Sequence, residues 1–352
     1  MRVVVTGASG NVGTSVVRVL SMHGDVAEIV GVARRLPALQ VPKVEWVAAD
    51  IVHDDLVPLF TGADAVVHLA WAIQPSRDPD KLHAVNVDGS ARVFEAVARA
   101  RVPALVYASS VGAYSPGPKD EPGVDESWPT GGIESSFYSR HKAAVERLLD
   151  RLEREHPEIR SVRLRPGLIF TSQSATEQRR YFAGPFVPAF LMNPRFIPVV
   201  PDITRLRFQA VHADDVGRAY CLAVVSSDAR GAYNVAAEPV LDPDRLAELL
   251  HARKLPVPAA VLRGAAAVTW RLRLQPSPEG WVDMALGAPV MDTSRIRREL
   301  GWAPRKTSGE ALLELLRGMR NGDGTDTPPL TGDGSGPLRI REFLTGIGGR
   351  NP

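Results

Sequence analysis

Two periodicities alternate along the first two-thirds of the chain. Short runs rich in Val, Ile and Ala at residues 2–6, 29–33, 44–48, 65–69, 104–108 and 161–164 read as buried parallel strands. Between them, residues 11–22, 54–60, 84–100 and 137–155 carry apolar positions at helical spacing. This alternation predicts an α/β fold built on a doubly wound parallel sheet.

Beyond Pro166 the pattern loosens. Prolines crowd Pro185, Pro188, Pro194, Pro198 and Pro201, and strand signals thin out. Residues 209–212 and 232–235 are expected to return to the sheet as late strands. Helical patterns at 242–252, 259–274, 293–300 and 308–319 predict a smaller, mostly helical C-terminal cap. The expected organisation is a sheet domain over 1–170 completed by 205–238, a substrate-binding cap from 171–204 and 239–320, and a tail at 321–352. The tail opens with Gly322-Asp323-Gly324-Thr325-Asp326, a linker-like and flexible composition, although 338–344 could dock as a terminal helix.

Composition narrows the function classes without naming one. With 352 residues, 44% hydrophobic and 23% charged, the chain can bury a sizeable core. Its 42 basic and 40 acidic side chains leave a net charge of +2, and the arginines are scattered, so neither nucleic acid nor a membrane is expected as a partner. The single cysteine, Cys221, excludes an intramolecular disulfide and any C-x-x-C site, and its apolar surroundings mark it as a small core residue. The eight histidines are dispersed, so no metal site is expected. The N-terminal apolar run is too short for a signal peptide, and 259–274 is broken by Arg263, Arg271 and Arg273, so a cytoplasmic location is expected.

Chemistry enters directly after the first strand, at Thr6-Gly7-Ala8-Ser9-Gly10-Asn11-Val12-Gly13. Gly7 permits the tight turn, Gly10 lets backbone approach a pyrophosphate, and Gly13 lets the helix pack against the strand. The helix N-terminus then offers free N–H groups and the positive end of its dipole. After a Val-rich strand and before an amphipathic helix, this pattern predicts a dinucleotide site.

The T-G-x-x-G-x-x-G order resembles the extended branch of the short-chain dehydrogenase/reductases, the NAD-dependent epimerase/dehydratase family. The likeness covers residues 1–315 and is carried on by Asp50-Ile51, His68-Leu69-Ala70-Trp71 and Asn86-Val87-Asp88-Gly89. Val211-His212-Ala213-Asp214-Asp215-Val216 and Met291-Asp292-Thr293-Ser294, running to Leu300-Gly301-Trp302-Ala303-Pro304, extend it. It implies a Rossmann domain whose cofactor is surrounded by Gly7, Gly10, Asn11, Val12, Gly13, Asp50, Ile51, Leu69, Ala70, Trp71 and Asn86. The second strand ends Gly31-Val32-Ala33-Arg34-Arg35, with no carboxylate to meet a ribose 2′-hydroxyl. Arg34 and Arg35 could pair with a 2′-phosphate, so NADP is expected in preference to NAD.

Tyr138-Ser139-Arg140-His141-Lys142 is a Y-x-x-x-K sequence opening a helix, and at this spacing both side chains share a face. A fixed ammonium beside a phenol favours the phenolate, so Lys142 is expected to lower the Tyr138 value and fit it for proton transfer to a ketone or from an alcohol. The resemblance gives Lys142 the nicotinamide ribose as well. It makes Ser110, in Ser109-Ser110-Val111-Gly112 at the end of the fifth strand, the hydroxyl that holds the reacting oxygen. Ser109 is expected to bond to backbone at the strand end. His141 and His212 read as packing or structural residues, and the pairs Asp54-Asp55 and Asp214-Asp215 suit helix N-termini.

The sequence also departs from the family pattern. Val111-Gly112 stand where dehydratases carry an Asp-Glu pair, which argues against elimination. Leu168, Thr171-Ser172 and Phe208 stand where nucleotide-sugar enzymes hold a diphosphate, with Arg205 and Arg207 out of register. Cap residues Tyr181, Phe182, Phe186, Phe190, Leu191, Met192 and Phe196 would suit a hydrophobic ketone, while Arg179 and Arg180 could grip phosphates. The expected function is an NAD(P)-dependent oxidoreductase acting on a secondary alcohol or ketone of a small molecule. Its rivals are a nucleotide-sugar epimerase using the same Ser/Tyr/Lys set and a non-catalytic dinucleotide-binding sensor. The resemblance also implies a homodimer through the helices flanking the fifth strand.

Overall fold

The computed structural model describes residues 1–74, 76–183 and 197–330. The first half runs β1 (Arg2–Thr6), α1 (Asn11–Met22), β2 (Glu28–Ala33), β3 (Val44–Ala48), α2 (Val57–Phe60), β4 (Ala65–His68), α3 (Pro79–His83), α4 (Gly89–Arg99), β5 (Ala104–Ala108) and α5 (Phe137–Glu155). It continues with β6 (Arg160–Pro166), β7 (Leu168–Phe170), α6 (Ala175–Gln178), β8 (Val199–Asp202), β9 (Ala210–His212), α7 (Ala213–Val225) and β10 (Gly231–Val235). The last elements are α8 (Pro243–Leu250), β11 (Arg253–Pro256), α9 (Ala259–Arg271), α10 (Gly280–Gly287), α11 (Ser294–Leu300) and α12 (Ser308–Asn321).

Seven strands form one parallel sheet in the order β10-β6-β5-β4-β1-β2-β3. Because side chains alternate across a strand, Val3 and Val5 feed one core and Val4 the other. The first core contains Val16, Leu20, Val216 and Tyr220 from α1 and α7; the second contains Phe94 and Leu149 from α4 and α5. Both faces are thus covered, which is why the strands read as continuous apolar runs. The chain winds outward from β1 through β2 to β3, then restarts at β4 and winds the other way. The C-terminal ends of β1 and β4 therefore flank the switch point, where such sheets bind ligands.

Three expectations are corrected. Residues 209–212 do not return to the main sheet: Gly167 still bonds to Val235 of β10, but from Leu168, which donates to Gln209 O, the chain pairs as β7 with β9 in a separate two-stranded sheet. Only β10 rejoins the main sheet, beside β6. The helix expected over 84–100 is split by a π-helical turn, Ala84–Asp88, ahead of α4. The start of the presumed linker is packed: Thr327 and Leu330 are buried, Thr176 donates to Asp323 O, and Ala38 N donates to Asp326 O at 3.1 Å. Residues 331–352, including the terminal helix considered at 338–344, lie outside the described residues.

The cap adds a second small sheet, β8 with β11, and a core of its own in which Leu246 and Leu250 of α8 meet Ala311 and Leu315 of α12. A capping box of Thr307 and Glu310 starts α12. Cys221 is buried in the sheet core, and burial pushes its thiol up to about 11, which fits an inert packing residue.

Candidate active site

At the switch point Gly7 has a φ of 73°, and a Cβ there would lie 2.6 Å from Ala70 N. Only glycine fits between the first turn and the β4 loop. A Cβ on Gly13 would lie 2.3 Å from Gly7 O, so the close approach of α1 to β1 also requires glycine. Gly10 is the N-cap of α1; no side chain caps that helix and its first turn has no acidic residue. Its N–H groups and positive dipole end stay open to an anion.

These features border a cavity of about 460 Å³. Among the expected cofactor residues, Gly7, Gly10, Arg34, Arg35, Asp50, Ile51, Leu69, Ala70 and Trp71 line it. Asn11, Val12 and Gly13 lie in the first turn of α1 and are not among its lining residues. Asn86 also stands off the wall: it is buried and clamps the Ala72 backbone, accepting from its N–H at 2.7 Å and donating to its carbonyl at 2.8 Å. Gln74, Lys81, Glu177, Tyr181, Pro328 and Pro329 join the lining without having been expected there. An uncapped helix terminus, the apolar surfaces of Val32, Ala33 and Ile51, and two exposed guanidiniums fit the phosphates, adenine and ribose of a dinucleotide.

Ser110 leaves β5 at the same end of the sheet and caps a short turn, its Oγ accepting from Gly112 N at 3.0 Å. Tyr138 and Lys142 open α5, which Ser136 caps. The turn that Ser110 caps packs on Tyr138: a Cβ on Gly112 would lie 3.0 Å from the phenol ring. Lys142 Nζ donates to Ala108 O at 2.6 Å and sits 3.5 Å from the centre of the Trp71 ring, against 5.8 Å for Tyr138. Trp71 also meets Tyr138 edge-on at 5.9 Å, so one indole joins the groove to the catalytic candidates.

The expected lowering of the phenol by Lys142 is not met. Burial raises the Tyr138 phenol, and only the nearby Ser110 hydroxyl opposes it. Burial also drives Lys142 well below the usual lysine range, with Glu146 as the opposing charge. The ammonium is directed to a carbonyl and aromatic faces rather than to the phenol oxygen.

Beneath the three residues lies a buried charge network. Glu146, one turn past Lys142, accepts from Ser109 Oγ at 2.5 Å, Arg163 at 2.9 Å and Arg165 at 2.8 and 3.0 Å. Burial pushes its carboxyl up, but the Arg165 and Arg163 guanidiniums and Ser109 outweigh this and hold it at about 2. The Ser109 N–H bonds backbone at the strand end, to Tyr107 O at 3.2 Å, while its hydroxyl goes to the carboxylate. The i, i+4 spacing from Lys142 to Glu146 was the signal available in the sequence. His68 is buried between Thr6 Oγ1 at 2.7 Å and Ser90 Oγ at 2.9 Å, and Ser90 in turn donates to Asn86 O. Burial, then the charge of Lys142, lowers His68 to about 3, so it is a neutral strut.

On the cap side, Trp281 of α10 tilts over the Tyr138 ring at 5.1 Å and meets Phe182 at 5.1 Å and Phe137 at 6.0 Å. The indole nitrogens of Trp71 and Trp281 are buried without a hydrogen-bond partner. Arg205 donates to Leu286 O and Gly117 O, Arg207 to Asp120, and Arg180 to Pro329 O. His141 packs edge-on against Phe137 and His83, and His212 caps α7, whose first turn holds Asp214 and Asp215. Phe186, Phe190, Leu191, Met192 and Phe196 lie outside the described residues. Among the described residues no group of His, Cys, Asp and Glu could hold a metal ion, and no helix is long and apolar enough to cross a membrane.

Comparison with known proteins agrees with this geometry. Residues 3–236 match the NAD dependent epimerase/dehydratase family. An uncharacterized protein of Mycobacterium tuberculosis is 28% identical over 322 residues, 91% of this chain but 30% of that protein, so the chain spans under a third of that relative's length. L-arabinose 1-dehydrogenase (NAD(P)(+)) of Haloferax volcanii is 36% identical over 110 residues, 31% of this chain and 41% of that protein. Among solved structures, MoeE5 in complex with UDP-glucuronic acid and NAD has a TM-score of 0.65 at 22% identity, covering 91% of this chain and 99% of that one, a likeness of fold. With its glycine turn, switch-point groove and matched residues 3–236, the chain belongs to the NAD-dependent epimerase/dehydratase family of extended short-chain dehydrogenases/reductases.

Proposed function

We propose that the chain is an NAD(P)-dependent oxidoreductase moving a hydride between the nicotinamide and a secondary alcohol or ketone carbon of a small organic substrate. The observation that carries this reading is the gathering of Ser110, past the end of β5, with Tyr138 and Lys142, at the start of α5, joined through Trp71 to the groove at the switch point. A bound nicotinamide would supply or accept the hydride. In reduction, Tyr138 gives its proton to the carbonyl oxygen while Ser110 holds that oxygen. Lys142 binds the ribose, and the Ser110 hydroxyl supports the phenolate left behind. The sheet domain carries the cofactor and the cap the substrate. Arg34 and Arg35, with no carboxylate beside them, favour NADP over NAD.

The substrate is read as a largely apolar carbonyl compound. Trp281, Phe182 and Phe137 give the cap side of Tyr138 an aromatic wall, and the cations nearest a diphosphate position, Arg205 and Arg207, are taken up by carbonyls and Asp120. Val111-Gly112 offer no carboxylate for elimination. The family's nucleotide-sugar neighbours sustain an epimerase as the second reading, because the same trio can oxidise and re-reduce a sugar carbon. Thermal-shift measurements with NADPH present would decide, comparing UDP-, GDP- and dTDP-sugars with apolar ketones. Stabilisation by the ketones supports the reductase; stabilisation by a nucleotide sugar alone supports the epimerase. A homodimer through the helices beside β5 is part of the proposal, and sedimentation tests it.

A further inference from the structure

The groove is bordered by more than the sheet domain. Glu177 and Tyr181, bridged by a 2.9 Å hydrogen bond, reach it from the cap, and Pro328 and Pro329 reach it from beyond the last helix. α12 ends at Gly322, whose φ of 73° turns the chain back. Residues 323–330 are then tied at three places. Asp323 O accepts from Thr176 Oγ1 at 2.9 Å, and Pro329 O accepts from Arg180 at 3.3 Å, both on the cap. Asp326 O accepts from Ala38 N at 3.1 Å, in the loop that follows Arg34 and Arg35. A turn closes the segment on itself, with Leu330 N to Thr327 O at 3.0 Å and Thr325 N to Leu330 O at 3.1 Å. Gln74 of the β4 loop, also on the wall, donates to Tyr181 O and Pro276 O.

A segment bonded to both the cap and the arginine loop, with two residues on the cavity wall, spans the groove's adenosine end. Thr327 and Leu330 are buried, so the segment packs against the body of the protein. We propose that residues 323–330 are a third wall of the cofactor site, a strap that must lift for a dinucleotide to enter or leave. This rests on reading the groove as a dinucleotide site. The segment holds the loop of Arg34 and Arg35 through Ala38, so it also steadies the guanidiniums that would meet a 2′-phosphate. For a reductase the cofactor exchanges every turnover, so strap opening would belong to each catalytic cycle.

The test is release of NADPH and of NADH, followed by cofactor fluorescence in stopped-flow displacement. Three forms are compared: the full chain, a chain ending at Leu330 and a chain ending at Gly322. Losing the strap's three hydrogen bonds should speed NADPH release by roughly tenfold or more in the shortest form. The chain ending at Leu330 should match the full chain. Should the shortest form not fold, Ala38→Cys with Asp326→Cys keeps the question open to measurement: the oxidised crosslink should slow release, and reduction should restore it. Unchanged release in a folded shortest form, or in the crosslinked form, overturns the strap. Failure of the full chain to bind either nucleotide overturns the dinucleotide site itself.

Discussion

The Lys142 ammonium stands 3.5 Å from the centre of the Trp71 ring while bonded to Ala108 O. A desolvated ammonium resting on an aromatic face is partly compensated, by about 2 kcal/mol in such settings, but it still lacks the water that an exposed lysine keeps. The site buries an amine where folding alone would place an apolar side chain. That relationship ties the groove, through Trp71, to the residues that would move the proton.

Lys142→Met should therefore raise stability by about 1 kcal/mol while abolishing turnover. Burial holds the folded-state Lys142 below its unfolded value, so the penalty is full below the folded value and vanishes as pH rises through about 10.4. Thermal melts across pH check this. A variant less stable than the parent at neutral pH contradicts it.

Tyr138→Phe should keep the fold and the cofactor and lose turnover by ~10²–10⁴. Since burial raises the phenol, alcohol oxidation, which needs the phenolate, should climb toward alkaline pH, and ketone reduction should persist through neutral pH. A pH–rate profile in both directions reads this out. A near-parental rate in the variant removes Tyr138 from the mechanism.

Glu146→Gln should destabilise the fold by about 3–5 kcal/mol, because Arg163 and Arg165 would lose their shared carboxylate. The folded-state value near 2 lies below the unfolded one, so this contribution is present above about 4.3 and is lost as pH falls toward about 2. The variant's acid-unfolding curve should be flatter in that window than the parent's. Superimposable curves would deny Glu146 this role.

Arg34→Ala with Arg35→Ala should weaken NADPH binding by roughly tenfold or more and leave NADH nearly unchanged, since a charged hydrogen bond contributes about 1.5–3 kcal/mol. Isothermal titration compares the two nucleotides. Equal losses for both would place the arginines away from the 2′-phosphate.

How much of this was legible in the sequence depends on whether the signal was local. The strands of Val3–Val5 and Val66–Val67 were readable because both faces of the sheet are covered, and Gly7 and Gly13 because a Cβ there meets backbone. Glu146 shared a helix face with Lys142 and could have been found by spacing. Asn86 was placed near the cofactor by resemblance, yet its polar atoms hold Ala72, a partner 14 residues away along the chain. Trp281 and Pro328–Pro329 reach the site through tertiary folding of distant segments, and no local periodicity announces that. The same is true of β9, whose apolar run suits any buried strand but whose partner is β7.

The most direct test of the account is net cofactor oxidation, followed by nicotinamide absorbance, with NADPH and a panel of apolar ketones, for the parent and Tyr138→Phe. The account predicts stoichiometric NADPH consumption with at least one ketone, lost in the variant. No net consumption with any ketone, together with interconversion of a nucleotide sugar at constant cofactor, would contradict it.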